Sequence, residues 1–172
     1  MADREGLSAV SVSAVAREVG VKPASLYAHV AGSEALRVEV ALLALEELAD
    51  AMAESVAGRS GRDALVAVAE TLRDYALRHP GRYAACRTPL DAETAARSAG
   101  PRQSALLASV LRAYPVPEGD HVHAVRLLGA TIHGFLDLEA AQSFAHSAPQ
   151  PSASWERVLE RLDAALASWP SA

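Results

Sequence analysis

Two groups of residues have types and spacing suited to chemistry. In the first, His121 and His123 alternate at the start of an apolar stretch, and His133 and Asp137 stand one helical turn apart. Imidazole and carboxylate groups so placed could ligate a metal. The sequence has no HExxH, no paired CxxC, no Gly-rich phosphate loop and no nucleophile elbow. No catalytic residue, metal site or cofactor is therefore expected, and His121 and His123, at a loop-to-helix junction, are expected in solvent. Cys86 is the only cysteine, which excludes an internal disulfide and fits a reducing compartment. A lone cysteine in a helical segment is expected to be packed rather than reactive. In the second group, Lys22, Ala24, Ser25, Tyr27, Ala28 and His29 occupy the outward positions of a short helix. Small and polar side chains on such a helix suit a DNA major groove.

Two helices and a turn position that second group, within Ser11–Val30. Ser11 can cap the first helix by accepting a backbone N–H of its first turn. Val12, Val15, Ala16 and Val19 recur at helical spacing and give it one apolar face. Gly20 ends it, because glycine takes the left-handed conformation without steric cost. Val21 is expected to plug between the helices. Pro23 suits the first turn of the second helix, where its missing N–H costs nothing. That helix is expected over Pro23–Val30, turning Leu26 and Val30 inward.

The run Ala16-x-Glu18-Val19-Gly20-Val21-x-x-x-Ser25-Leu26-Tyr27-x-His29-Val30, followed by a helix start at Ser33–Leu36, resembles the helix-turn-helix of the TetR family of transcriptional regulators. Val15-Ala16, Gly20-Val21 and Leu26-Tyr27-Ala28-His29 fill that pattern, which covers roughly the first forty residues. The resemblance implies that Tyr27 and His29 contact phosphate and that Ser11 stands for a threonine that often does so. It implies that Lys22, Ala24 and Ser25 sit where base edges are read. Hydroxyl and imidazole groups set register on the backbone, and small residues let the helix approach the bases.

Two features depart from the family. Ser33 stands where a phosphate-contacting lysine is usual, and only Met1–Glu5 precede Gly6 where the family has a first helix of some four turns. A helix-turn-helix domain with a truncated first helix is thus expected over 1–32, with an assigned start inside the gene. The form without that helix is expected to bind DNA poorly. Charge points the same way. The net charge is −5, and within Met1–Val40 the cations Arg4, Arg17, Lys22 and Arg37 face Asp3, Glu5, Glu18, Glu34 and Glu39. Phosphate attraction normally supplies much of a DNA-binder's affinity.

The remainder, 33–172, reads as a helical ligand-binding and dimerisation domain, so the fold class is all-α. At 172 residues, 51% of them hydrophobic and only 5% aromatic, the chain can bury a sizeable core and favours helices. No alternating β-branched run, membrane-length apolar run or basic leader appears, so a cytoplasmic protein with no membrane partner is expected. Apolar spacing predicts helices over Ser33–Ala57, on a stripe of Leu36, Val40, Leu43, Ala44, Leu48 and Met52, and over Arg62–His79. It predicts further helices over Gly81–Arg87, Asp91–Ser98, Arg102–Tyr114, Asp120–Phe144 and Ser152–Trp169.

The segments Leu127–Phe144 and Trp155–Trp169 carry more apolar surface than one small bundle needs, which predicts a homodimer through them. The run Leu127–Glu139 resembles the His-Gly segment of a TetR C-terminal subtype with a Trp-His-Gly signature, through His133-Gly134 and Leu138-Glu139. The family resemblance also places an effector cavity in the body. Met52, Leu72, Tyr75, His79, Tyr83, Cys86, His133 and Asp137 are its candidate contacts, and Leu48, Arg87, Leu107, Leu111 and Ile132 could complete the walls. The mostly apolar set suits an apolar or aromatic effector. The expected function is a repressor released from a double-stranded DNA operator by such an effector. The alternative is an all-helical binding module or enzyme without DNA function.

Overall fold

Alanine, leucine and glutamate dominate the long segments between the glycine and proline breaks, and each such segment is a helix in this computed structural model. The structure describes residues 1–170; the last two residues of the expected body lie outside them. Among the described residues every regular element is helical: α1 (Ala2–Glu5), α2 (Val12–Glu18), α3 (Pro23–Leu26), α4 (Ser33–Val56), α5 (Gly61–Arg78), α6 (Pro80–Ala85), α7 (Ala92–Arg97), α8 (Gly100–Leu111), α9 (His121–Ala140) and α10 (Pro151–Ala167). Short 3-10 turns cover Leu7–Ala9 and Glu118–Asp120. Among the described residues no helix is long and apolar enough to cross a membrane.

The contacts divide the chain into two units, one of Met1–Asp50 with Asp74–Pro101, the other of Ala51–Arg73 with Arg102–Ala172. In the first, Ala41 and Ala44 of α4 pack on Ala85 of α6, with Leu7, Val40 and Cys86 around them. One turn on, Leu45 and Ala49 meet Ala99, with Cys86 and Leu90 alongside. Small side chains here bring helices close together. Leu43, expected in the α4 stripe, is 61% exposed. The buried residues Ala41, Ala44, Leu45, Leu48 and Met52 define a face about a quarter turn or more from it at 100° per residue.

The first unit is also held by a polar cluster. The Arg82 guanidinium donates from Nε to Asp3 Oδ2 and from NH1 to Glu47 Oε2, both at 2.8 Å. The Arg82 backbone N–H donates to Asp3 Oδ1 at 2.8 Å. His79, the residue preceding α6, gives no side-chain cap, so Asp3 from α1 caps α6 instead. Gly81 makes this docking possible. A Cβ there would stand 2.0 Å from the Ala2 carbonyl oxygen, so only glycine lets α1 lie this close to α6.

In the second unit, α9 buries Ala124, Leu128, Ile132, Phe135 and Leu136, and α10 buries Trp155, Leu159, Leu162 and Leu166. The α10 face is narrower than its sequence suggests, since Val158 is half-buried and Ala165 exposed. Polar groups fix the ends of this layer. Tyr114 donates to Asp163 at 2.6 Å, and Trp169 donates from Nε1 to Asp120 at 2.9 Å. At the C-terminal end of α9, Arg73 of α5 makes a two-pronged ion pair with Glu139, at 3.0 Å and 2.6 Å.

Candidate nucleic-acid interface

The Ser11 side chain caps α2, accepting the Ala14 N–H at 3.2 Å, and Val12 and Ala16 form the buried face. Gly20 follows with φ +74°, and the Val21 N–H returns to the Ala16 carbonyl at 2.9 Å, which closes the turn. Pro23 then opens α3 as its first residue. The helix is shorter than its apolar spacing suggests. It ends at Leu26, and Tyr27–His29 continue as turns, with the His29 and Val30 N–H groups both directed to the Leu26 carbonyl. Two inward expectations also fail. Val19 is 59% and Val21 42% exposed, because no described residue packs over that edge of the corner.

The outward expectations are met. Lys22, Ala24, Ser25, Tyr27, Ala28 and His29 are all exposed, Tyr27 at 57%, and together they form one continuous run at the end of the corner. Ser11 lies at the other end, half-buried, its oxygen used as an acceptor by the cap while its own proton stays available to donate.

Sequence reasoning missed two residues that hold this module in place. Ser33, at the start of α4, accepts the Val12 N–H at 3.1 Å. Arg37 donates to the Val10 carbonyl at 3.1 Å and to Glu34 at 2.7 Å. Both clamp the start of α2 to α4. The departure at Ser33 therefore has a structural use, a hydroxyl where a donor-only lysine could not accept. Pairing also changes the meaning of the charge count. Arg4 is bound to Glu18 at 2.6 Å and Arg37 to Glu34, so among the described residues Arg17 and Lys22 are the cations of this module without a carboxylate partner. Both are exposed, and Lys22 lies within the run.

Known proteins resemble this chain in family and in fold. Residues 65–162 match the family described as "Tetracyclin repressor-like, C-terminal domain". Over 171 residues the chain is 30% identical to the uncharacterized HTH-type transcriptional regulator YobS of Bacillus subtilis (strain 168), covering 99% of this chain and 85% of that one. The protein belongs to the TetR family of transcriptional regulators. A second relative, the uncharacterized HTH-type transcriptional regulator Rv0681 of Mycobacterium tuberculosis (strain ATCC 25618 / H37Rv), is 34% identical over 139 residues, which are 80% of this chain but only 64% of the relative. Two solved structures share the fold at 23% identity. That of the regulatory protein SCO4313 has a TM-score of 0.76 and covers 94% of this chain and 88% of its own. That of a protein of unknown function from Rhodococcus sp. RHA1 has a TM-score of 0.78 and covers 97% and 90%. This TetR-family chain is a regulator and not an enzyme.

The expected effector contacts of this regulator divide between the units. In the first, Tyr75 is buried, donates to Glu47 at 3.0 Å and to the Ala44 carbonyl at 3.3 Å, and meets the His79 ring edge-on at 5.2 Å. Burial and the Glu47 carboxylate push its hydroxyl far above the ordinary tyrosine range. Tyr83 is buried under the Arg87 guanidinium, and burial pushes its hydroxyl up to about 12. Cys86 lies against both alanine-rich clusters, and burial pushes its thiol up to about 12. In the second unit, Met52 and Leu72 are buried core residues, and His133 and Asp137 are half-buried on α9, each with a partner. The second unit's open groove between α8 and α9, about 460 Å³, is lined by Ala105, Ala108, Val122, Val125 and Arg126 and by none of these. His121 borders that groove and lies 3.2 Å from the Val116 carbonyl, so it is half-buried where solvent was expected.

The state of Cys86 carries a direct test. A thiol raised to about 12 holds a vanishing thiolate fraction near pH 8, and thiolate is the reactive form. Iodoacetamide is expected to alkylate native Cys86 at least ~100-fold more slowly than the urea-unfolded chain. Equal rates in the two states would show the thiol to be open.

Proposed function

We propose that this chain is a homodimeric, operator-binding repressor released by a small apolar effector. The observation that carries the reading is the exposed run Lys22–His29, on a corner clamped to α4 by Ser33 and Arg37. In this reading Ser11, Tyr27 and His29 contact phosphate, and Lys22, Ala24 and Ser25 face base edges. Two protomers present their α3 segments to successive major grooves of a pseudo-palindromic site. Dimerisation uses Leu127–Phe144 and Trp155–Trp169. In its favour, Leu127 and Leu138 are 38% and 49% exposed, and Leu127, Thr131, Val158, Leu162 and Ala165 line an apolar groove of about 290 Å³. The effector is proposed to meet Tyr75, His79, Tyr83 and Cys86 of the first unit. Buried aromatic and aliphatic groups with few polar atoms favour an apolar ligand.

Fluorescence anisotropy with the DNA upstream of the protein's own gene, and with random duplex, tests the assignment of roles. Tyr27→Ala is expected to weaken binding to both duplexes alike, by about five- to ten-fold for a lost phosphate hydrogen bond. Ser25→Ala is expected to change the ratio between them instead. Stoichiometry should be two chains per site. A Tyr27→Ala variant that changes preference but not affinity would reverse the roles, and equal binding to the two duplexes by the parent chain would remove the repressor reading.

A further inference from the structure

An apolar strip on the solvent side of α8 and α9 is covered by nothing in the fold and used by neither the operator nor the effector reading. Both helices turn their larger apolar residues to the core of the second unit, Leu107, Val110 and Leu111 from α8 and Ala124, Leu128 and Ile132 from α9. The open groove of about 460 Å³ lies between their other faces. Ala105, Ala108, Val122 and Val125 supply its apolar lining and Arg126 its charge. Its volume falls in the range of small-molecule sites, roughly 300–1,000 Å³. Val122 is 57% exposed there, so an occupant would remove aliphatic surface from water.

The groove runs on past Ala108 and His121, which also line a second hollow of about 480 Å³. The two halves differ in charge. The second holds both Arg112 and Glu118. In the first, Arg126 is the one lining residue of fixed charge, and among the described residues it makes no hydrogen bond or ion pair. The groups nearby are already engaged. His121 Nε2 lies 3.2 Å from the Val116 carbonyl, which can only accept, so its N–H is used in holding the loop. Asp120 accepts from Trp169 Nε1.

We propose that the α8–α9 groove binds an aliphatic monocarboxylate, its carboxylate on Arg126 and its chain along Ala105, Ala108, Val122 and Val125. A guanidinium takes a carboxylate through two parallel N–H···O bonds, and burial of the chain supplies the rest. No aromatic ring lines this half, so its small aliphatic walls suit a flexible chain rather than a flat ring. A second copy of the chain does not fill the groove. The face proposed for pairing carries Leu127 and Leu138, and Val122 and Leu127 point about 140° apart around α9 at 3.6 residues per turn. Pairing through Leu127 leaves the groove in water. The effector contacts proposed above belong to the other unit, so this proposal stands or falls apart from them.

Isothermal titration calorimetry of the full chain with octanoate at about pH 7.5, where the carboxylate is ionised, tests it, with octanol as the uncharged chain of equal length. One octanoate is expected per chain, and octanol should bind at least about ten-fold more weakly, the scale of a hydrogen bond to a charged group. Arg126→Gln should bring octanoate down to the level of octanol and leave octanol unchanged. Val122→Asp, at an exposed position, sets a carboxylate in the groove and should abolish binding of both. Nitrogen-15 NMR of the parent chain needs no variant: octanoate should shift the amides of 104–108 and 121–126. No binding would overturn the proposal, as would several molecules per chain with octanoate and octanol equal. So would shifts confined to the first unit, or an octanoate affinity that ignores both substitutions. A light-scattering mass that halves in Val122→Asp would show a second copy seated on the groove, and would overturn it too.

Discussion

Replacement of Trp155 by alanine is expected to remove about 3–5 kcal/mol of unfolding free energy, the usual cost of emptying a large aromatic site in a core. The ring is 1% exposed. It meets Phe135 at 5.1 Å between centroids and lies under the Arg73 guanidinium at 5.5 Å. Its Nε1–H donates to Glu70 at 2.9 Å. The truncation thus opens a cavity and also leaves a carboxylate without its donor. Trp155→Phe separates the two costs. It keeps most of the ring and loses the N–H, so its expected cost is about 1–2 kcal/mol. Urea unfolding followed by circular dichroism measures both. An alanine variant that loses less than about 1 kcal/mol would mean that the site collapses around the gap or that the ring is not packed as described.

The second large effect concerns the pair beside that ring. Arg73 and Glu139 are 15% and 14% exposed and share two hydrogen bonds. Water screens such a pair poorly, and removing one partner strands the other charge. A double-mutant cycle with Arg73→Ala and Glu139→Ala is expected to give a coupling of about 2 kcal/mol. The chain supplies its own control. Arg157 and Glu160 also meet at 2.7 Å, but at 76% and 46% exposure, and a cycle there is expected to give no more than about 0.5 kcal/mol. Bond length is similar in the two pairs, so burial and the second hydrogen bond make the difference. Equal couplings would refute that account.

Local features of this fold were readable from residue order. Ser11 capped the helix it was expected to cap, Gly20 took the left-handed turn, and the apolar repeats of α4, α5, α9 and α10 became helices within a few residues of their expected ends. The outward places of Ala24 and Ser25 fit the phase of α3, whereas Tyr27, Ala28 and His29 are exposed on the turns that follow it. What failed was what phase does not encode. The end of α3 at Leu26 reflects a backbone that tightens into turns although Val30 continues the apolar spacing. Val19 and Val21 look like core residues, but a residue is buried only if something packs over it. The seat of the corner was invisible for a different reason. Ser33 and Arg37 act on backbone groups at Val12 and Val10, and no pattern of side-chain types marks a partner of that kind. Ion pairs such as Arg73–Glu139 and Arg82–Asp3, 66 and 79 residues apart, leave no periodic trace at all.

The cap that Asp3 places on α6 also bears on the order in which the chain folds. A six-residue helix is too short to persist in water by itself, since nucleation costs more than so few bonds return. Its missing cap comes from 79 residues upstream, so α6 can be completed only after that stretch of chain has closed on itself. During synthesis α1 emerges before α6, and until α6 arrives Asp3 lacks the backbone N–H that it caps. Contacts of such long range slow folding relative to local ones, which makes the first unit's closure a late event that follows formation of the long helices α4 and α5.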